Sequence, residues 1–98
     1  MTNKKKVNNE ELTITMEGRL DTVTAPSLEE EIKARLDGIK KLVMDFGALE
    51  YISSAGLRVL LMAQKTMNKQ GSMVIRNVNE TIAEVFEITG FADMLTIE

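Results

Sequence analysis

Residues 41–61 of the chain, KLVMDFGALEYISSAGLRVLL, decide the fold. Residues 41–46 form a short apolar run, which is typical of a strand that is buried on both faces. Apolar side chains then recur at helical spacing from residue 57 to residue 67, and this pattern predicts a helix that Gly71 ends. A buried strand followed by an amphipathic helix is the repeating unit of α/β sheets with parallel strands.

The sequence before this stretch continues the alternation of strands and helices. Apolar and polar residues alternate over residues 12–17, which predicts a strand with one buried face that Gly18 closes. A weaker pattern over residues 5–8 predicts an earlier short strand that pairs with it as a hairpin. The next helix is predicted to begin at Thr24, its N-cap, and to end at Gly38.

The sequence after the central stretch adds another strand and another helix. Residues 73–75 predict a short strand, and Asn79 is placed to cap a helix that ends at Gly90. Residues 94–97 predict a last strand. This order of elements indicates a single α/β domain with a mixed sheet, in which the helices pack mainly on one face.

The composition excludes several kinds of active site. The 98 residues include no cysteine and no histidine, so disulfides, thiolate nucleophiles, imidazole catalysis and ordinary zinc ligation are ruled out. No apolar stretch reaches the roughly 18–20 residues that cross a bilayer, and no signal-peptide core follows the basic start. We therefore expect a cytoplasmic, soluble, non-enzymatic protein that has no cofactor and does not insert into a membrane.

The charges are distributed unevenly along the chain. The net charge is −3, from 12 basic and 15 acidic residues, and Lys4, Lys5 and Lys6 lie together near the start. Without those three, 9 basic and 15 acidic residues leave a net charge of −6. An acidic body does not attract phosphate backbones, so no nucleic-acid partner is expected. The lysine run is interpreted as a solvated terminus, with a basic docking arm as the alternative.

The loop over residues 50–58, between the buried strand and its helix, is the first candidate site. Ser53 or Ser54 is placed to cap the helix, and Gly56 in the first helical turn allows a close approach of another chain. The serine pair has two interpretations: a helix cap alone, or a phosphoacceptor whose added charge the helix N-terminus stabilises. Seryl catalysis is disfavoured because no base is placed beside either serine.

A second loop, over residues 18–22, connects the first well-marked strand to the first helix. Within it, Asp21 has two interpretations. It is either a turn former or a carboxylate on the same rim of the sheet that carries the serines.

These segments together resemble a known family. Three segments look like the corresponding blocks of the anti-sigma factor antagonists, which are single STAS domains. They are Gly18-Arg19-Leu20-Asp21, Leu42-Val43-Met44-Asp45-Phe46 and Tyr51-Ile52-Ser53-Ser54-Ala55-Gly56-Leu57-Arg58-Val59-Leu60-Leu61. The resemblance implies one STAS-like domain over residues 1–98, with residues 1–10 as a flexible or short-strand N-terminus. It implies a mixed β-sheet of about four to five strands with about three to four helices packed mainly on one face.

The same resemblance implies a partner switch in bacterial transcription regulation. The unphosphorylated protein would bind an anti-sigma factor with GHKL-type serine kinase activity and release the sigma factor. Phosphorylation would end the binding, and a PP2C-type phosphatase would restore it. By motif position the phosphoacceptor falls on Ser54, with Ser53 as the rival, since many members carry aspartate where this chain has Ser53.

The resemblance and the loop positions together predict the partner-binding residues. We expect a monomer whose contacts come from one rim, formed by Asp21, Thr22, Ser53, Ser54, Gly56, Leu57, Arg58 and Met62. The alternative is a STAS subunit of an ABC-type membrane transport complex, which would dock its ATPase through the same face without being phosphorylated. A third interpretation, a nucleotide sensor, lacks a glycine-rich phosphate loop in the sequence.

Overall fold

The computed structural model describes the backbone of residues 2–98 and the side chains of residue 7 and residues 9–98. The elements follow one another as β1 (Thr2–Asn8), β2 (Glu11–Leu20), α1 (Ala25–Arg35), β3 (Lys41–Ile52), α2 (Ser54–Gln70), β4 (Ser72–Arg76) and α3 (Glu80–Thr89), with a final 3-10 turn (Phe91–Asp93). The α/β class and the three predicted helices are confirmed.

The four strands form one sheet in the order β1-β2-β3-β4. β1 pairs antiparallel with β2 through a tight turn in which Asn9 has a φ of 57°. β2, β3 and β4 are mutually parallel, and α1 and α2 supply the crossover connections that parallel neighbours need. The predicted hairpin is therefore present and longer than expected. The side chains of the lysine run lie outside the described residues.

The sheet has four strands, the lower limit of the expected four to five, and only three of them form its parallel part. In the described chain, the predicted last strand over residues 94–97 is reduced to one parallel bridge between Ile75 and Ile97. Two hydrogen bonds hold it, from the Ile75 N–H to the Thr96 carbonyl at 2.9 Å and from the Glu98 N–H to the Ile75 carbonyl at 2.8 Å. The 3-10 turn (Phe91–Asp93) occupies the residues just before this bridge.

The prediction that Gly18 closes a strand is wrong. β2 runs through Gly18 to Leu20, with Gly18 at a φ of 85° and shifts in the pairing register beside it. β3 is likewise longer than expected and runs to Ile52. Between Gly18 and Arg19 the partner on β3 advances from Leu49 to Tyr51, so the extra residue of this irregularity lies on β3 and the ladder continues past Gly18. As a result, the ends of β2 and β3 lie side by side at one edge of the sheet.

The helix boundaries follow local sequence signals closely. Thr24 is the N-cap of α1, and Gly71 and Gly90 stand at the ends of α2 and α3 as predicted. α1 ends earlier than expected, at Arg35, with Leu36 rather than Gly38 as its C-cap. No helix within the described residues combines the length and hydrophobicity that a membrane crossing requires.

One hydrophobic core lies between the three helices and a single face of the sheet. Alternate residues of β3 point into it, and the ring of Phe46 lies 6.4 Å from the ring of Phe86 on α3. Val43 and Val74 are also buried but lie outside this cluster, on the opposite face. The expectation that helices pack mainly on one face is confirmed.

Asn79 joins the start of α3 to β3 and provides a test of this arrangement. Its side-chain oxygen accepts a hydrogen bond from the Ile82 N–H at 2.8 Å, and its side-chain amide donates to the Leu49 carbonyl at 2.9 Å. We expect Asn79→Ala to lower the free energy of unfolding by about 1–2 kcal/mol in urea titrations, because both bonds are lost.

Two variants control that measurement. Asn79→Asp keeps the acceptor for Ile82 but loses the donor to Leu49, so its stability should lie between Asn79→Ala and wild type. Thr81→Ala, at an exposed position of the same helical turn, should change stability by less than about 0.5 kcal/mol. Equal stability of Asn79→Ala and Thr81→Ala would contradict the role assigned to Asn79.

Candidate functional site

The candidate site is built where β2 and β3 end together. The parallel register pairs Leu20 with Ile52, and the Ser53 N–H donates a hydrogen bond to the Leu20 carbonyl at 2.9 Å. Asp21 and Ser53 therefore follow paired residues on strands that lie roughly 4.8 Å apart. The predicted neighbourhood of the two loops is confirmed by this pairing.

The two serines have different environments. Ser53 is the N-cap of α2, with extended backbone at φ −100° and ψ 176°, and its carbonyl accepts the Leu57 N–H at 3.0 Å. Its hydroxyl is buried and makes no hydrogen bond to any described residue, so it does not act as a side-chain cap. Ser54 is the first residue of α2 and is exposed. Ser54 is therefore accessible to solvent, whereas the Ser53 hydroxyl is buried.

Gly56 fixes how the first turn of α2 sits on the sheet. A Cβ at this position would lie 2.7 Å from Leu20 Cγ and 2.8 Å from Ile52 Cγ1. The absence of a side chain at Gly56 thus lets β2 and β3 of the same chain approach the helix closely, rather than another chain. Leu57 beside it is also buried. In this conformation neither residue is available for direct partner contact, which corrects that part of the predicted surface.

The Asp21 carboxylate holds the turn between β2 and α1. Its Oδ1 accepts hydrogen bonds from the Val23 N–H at 3.0 Å and the Thr24 N–H at 3.1 Å. The Thr24 hydroxyl accepts from the Asp21 N–H at 2.9 Å and lies 2.8 Å from the Arg19 carbonyl. Asp21 is therefore a turn former, and it still leaves 27% of its side chain exposed on the rim.

The electrostatic environment of Asp21 favours its ionised form. The hydrogen bond from the Thr24 N–H is the main cause that holds the pKa of Asp21 below its ordinary value of 3.8, and Arg19 makes a smaller contribution. Arg19 Nε lies 3.7 Å from Asp21 Oδ2, and the guanidinium carbon of Arg19 lies 4.2 Å from the ring centroid of Tyr51. Arg19 is thus positioned between a carboxylate and an aromatic face, both of which favour its charge.

Two open grooves flank the exposed side of α2. The first, the α1/α2 groove, has a volume of about 210 Å³ and is lined by Thr22, Ala25, Pro26, Glu29, Ala55, Arg58 and Val59. The second, the α2 groove, has a volume of about 440 Å³ and is lined by Arg58, Leu61, Met62, Lys65, Thr66 and Lys69. The structure therefore brings Thr22 and Arg58 together in one groove, and Arg58 and Met62 in the other.

The predicted site residues differ in how much of each is accessible. They comprise exposed Thr22, Ser54 and Arg58, partly exposed Asp21, Ser53 and Met62, and buried Gly56 and Leu57. The exposed and partly exposed members lie around the start of α2 and the turn before α1. The buried Gly56 and Leu57 lie beneath these accessible residues.

Sequence reasoning did not name three residues of this rim as contact residues, although two of them, Arg19 and Tyr51, lie in the candidate loops. Arg19 and Tyr51 face each other because the parallel register pairs them, which could have been inferred once the two strands were aligned. Val23 follows Asp21 in the turn and is 81% exposed. A single apolar residue in an otherwise polar turn was the available signal for Val23.

Gly56→Ala tests the packing beneath the serines. Because the added methyl group would overlap Leu20 and Ile52, we expect the free energy of unfolding to fall by about 1–3 kcal/mol in urea titrations. Ser54→Ala, two residues earlier and exposed, is the matched control and should stay within about 0.5 kcal/mol of wild type. A Gly56→Ala variant as stable as that control would contradict the close contact.

Asp21→Asn tests the ionised turn. A lowered folded-state pKa means that the carboxylate stabilises the fold fully above pH 3.8 and loses this contribution as pH falls through the folded-state pKa. Wild type should therefore lose more stability than Asp21→Asn between about pH 5 and pH 2, measured by thermal unfolding. Parallel pH profiles for the two proteins would contradict this role.

The comparison with known proteins agrees with this geometry. The STAS domain family model matches residues 2–98. BtrV of Bordetella bronchiseptica, whose name assigns it to the anti-sigma factor antagonists, is 39% identical over 84 residues, covering 84% of this chain and 72% of BtrV. An anti-sigma factor antagonist structure from Mycobacterium paratuberculosis superposes with a TM-score of 0.88 at 25% identity, over 98% of this chain and 83% of that one.

The fold is also that of the Bacillus protein SpoIIAA in two states. The unphosphorylated form matches with a TM-score of 0.79 at 18% identity, over 99% of this chain and 87% of that one. The phosphorylated form matches with a TM-score of 0.78 at 18% identity, over 99% and 91%. Given the family match across residues 2–98 and the 39% identity to BtrV, this chain belongs to the STAS domain family, among the anti-sigma factor antagonists.

Proposed function

We propose that the unphosphorylated protein binds an anti-sigma factor with GHKL-type serine kinase activity and thereby frees a sigma factor. Phosphorylation of Ser54 by that kinase ends the binding, and a PP2C-type phosphatase restores it. The observation that carries this proposal is the exposure of Ser54 at the first position of α2, on the rim formed by the ends of β2 and β3. The protein acts in the cytoplasm as a monomeric binding protein, without catalysis of its own and without nucleic acid.

The choice of Ser54 over Ser53 is supported by burial as well as by motif position. A kinase must bring the acceptor hydroxyl in line with the γ-phosphate of ATP, and only an accessible hydroxyl can do so. The Ser53 hydroxyl is buried, and the Ser53 N–H is held to the Leu20 carbonyl. Exposing the Ser53 hydroxyl would require a change in the conformation of this residue, whereas Ser54 is exposed as it stands.

The position of Ser54 also makes a phosphate compatible with the fold. The N–H groups of the first helical turn and the helix dipole favour negative charge at the N-terminus of α2. Because Ser54 is exposed, no burial of the phosphate is needed. Phosphorylation should therefore leave the domain folded and change only the surface that a partner meets.

The change at that surface is large enough to release a partner. A phosphate with about two negative charges, ~7 Å from a partner carboxylate at an effective dielectric of ~20, is repelled by about 5 kcal/mol before salt screening. A quarter of that free energy still weakens binding close to tenfold. The contacts that would be disrupted come from the accessible rim residues Asp21, Thr22, Arg58 and Met62, while Gly56 and Leu57 shape the rim from below.

The test begins with capture from a lysate of the source organism, followed by identification of a protein with a GHKL-type ATP site. With that kinase purified, Ser54→Ala should bind as wild type does but accept no label from radioactive ATP. Ser54→Asp should bind about tenfold or more weakly by isothermal titration calorimetry. Ser53→Ala is the matched control and should be labelled like wild type.

Three results would contradict the proposal in different ways. Labelling of Ser54→Ala but not Ser53→Ala would move the acceptor to Ser53. Capture of an ABC-type ATPase in place of a kinase, with no labelling, would support the transport-complex alternative. If Ser54→Asp and wild type bound the kinase with equal affinity, negative charge at Ser54 would not be what controls binding.

A further inference from the structure

The outer face of α2 differs in charge from the rest of the protein. α2 carries Arg58, Lys65 and Lys69 and no acidic residue, within a chain whose net charge is −3. α3, by contrast, carries three glutamates and no basic residue. All three α2 cations are exposed, and no ion pair among the described residues involves any of them.

These cations form one stripe along the helix. Counting from Ser54, Arg58 lies four residues on, Lys65 eleven and Lys69 fifteen, spacings that return to the same side of an α-helix. At ~1.5 Å per residue, the stripe extends about 22 Å from Ser54 to Lys69. Ser54 therefore lies at the N-terminal end of this cationic stripe.

Apolar side chains lie beside the cations of this stripe. Leu61 and Met62 are half-buried and line the α2 groove together with the three cations, and the groove has a volume of about 440 Å³. No carboxylate lines this groove among the described residues. Unpaired cations around apolar side chains are complementary to a segment that carries both carboxylates and apolar residues.

We propose that the α2 groove docks an acidic segment of the anti-sigma factor, with apolar side chains of that segment on Leu61 and Met62 and its carboxylates near Arg58, Lys65 and Lys69. This inference rests on the proposed function, since it names the chemistry by which the same partner is recognised. It extends the docking surface away from the serine rim along the whole of α2.

Arg58 connects this docking groove to the switch. It lines both the α2 groove and the α1/α2 groove, and it lies four residues after Ser54, where side chains on a helix meet. A phosphate on Ser54 is within reach of the Arg58 guanidinium, which pairs well with phosphate oxygens. The phosphate thus competes with the partner's carboxylates for Arg58, in addition to repelling them.

The test removes the far end of the stripe and leaves Ser54 and Arg58 intact. Lys65→Gln/Lys69→Gln should weaken binding of the purified anti-sigma factor kinase by about three- to tenfold at ~50 mM salt. The difference from wild type should shrink at ~500 mM salt, because screening weakens exposed charge pairs. For phosphorylation of Ser54, KM should rise while kcat is unchanged, since both lysines are distant from the acceptor.

The matched control is Lys33→Gln/Arg35→Gln, which removes two positive charges from the exposed face of α1. It should bind within about twofold of wild type. Equal affinities of the two double variants would overturn the docking groove while leaving the proposed function standing. Failure of wild type itself to bind a GHKL-type kinase would overturn the proposed function, and the docking groove with it.

Discussion

The parallel pairing that ends at Leu20 and Ile52 is the interaction on which the rest of the structure depends. It continues past Gly18 despite the register shift there, and the hydrogen bond from the Ser53 N–H to the Leu20 carbonyl extends it by one step into the loop. Because Gly56 has no side chain, the first turn of α2 packs directly against Leu20 and Ile52. Because strand ends and helix start are joined in this way, the turn at Asp21 and the serines share one rim.

Two adjacent serines at this junction differ in exposure. The strand-like backbone of Ser53 turns its hydroxyl inward, and the helical backbone of Ser54 leaves that residue exposed. A charge added at the exposed position meets a helix N-terminus that favours it, so recognition can change while the fold persists. The cationic stripe begins four residues later on the same helix, so the proposed modification and the proposed docking groove lie on one element, α2.

Local signals in the sequence predicted the elements well. Asn79, Gly71 and Gly90 cap or end their helices as expected because capping depends on a few neighbouring residues. Gly18 misled the prediction, since its left-handed backbone is typical of turns, yet here the ladder to β3 continues past it. Residues 94–97 also look like a strand, but their pairing depends on contacts with the edge of β4, where they form a single bridge. The burial of Ser53 and exposure of Ser54 could not be predicted, because they follow from how Gly56 seats the helix on Leu20 and Ile52.

The most direct test of the account is the comparison of wild type with protein that carries phosphoserine incorporated at position 54 during synthesis. Both should show the same dispersed amide NMR spectrum outside the rim and free energies of unfolding within about 0.5 kcal/mol, while the phosphorylated protein loses affinity for the anti-sigma factor. Unfolding of the phosphorylated domain, or undiminished affinity with an intact fold, would contradict the claim that charge on the rim controls docking without altering the fold.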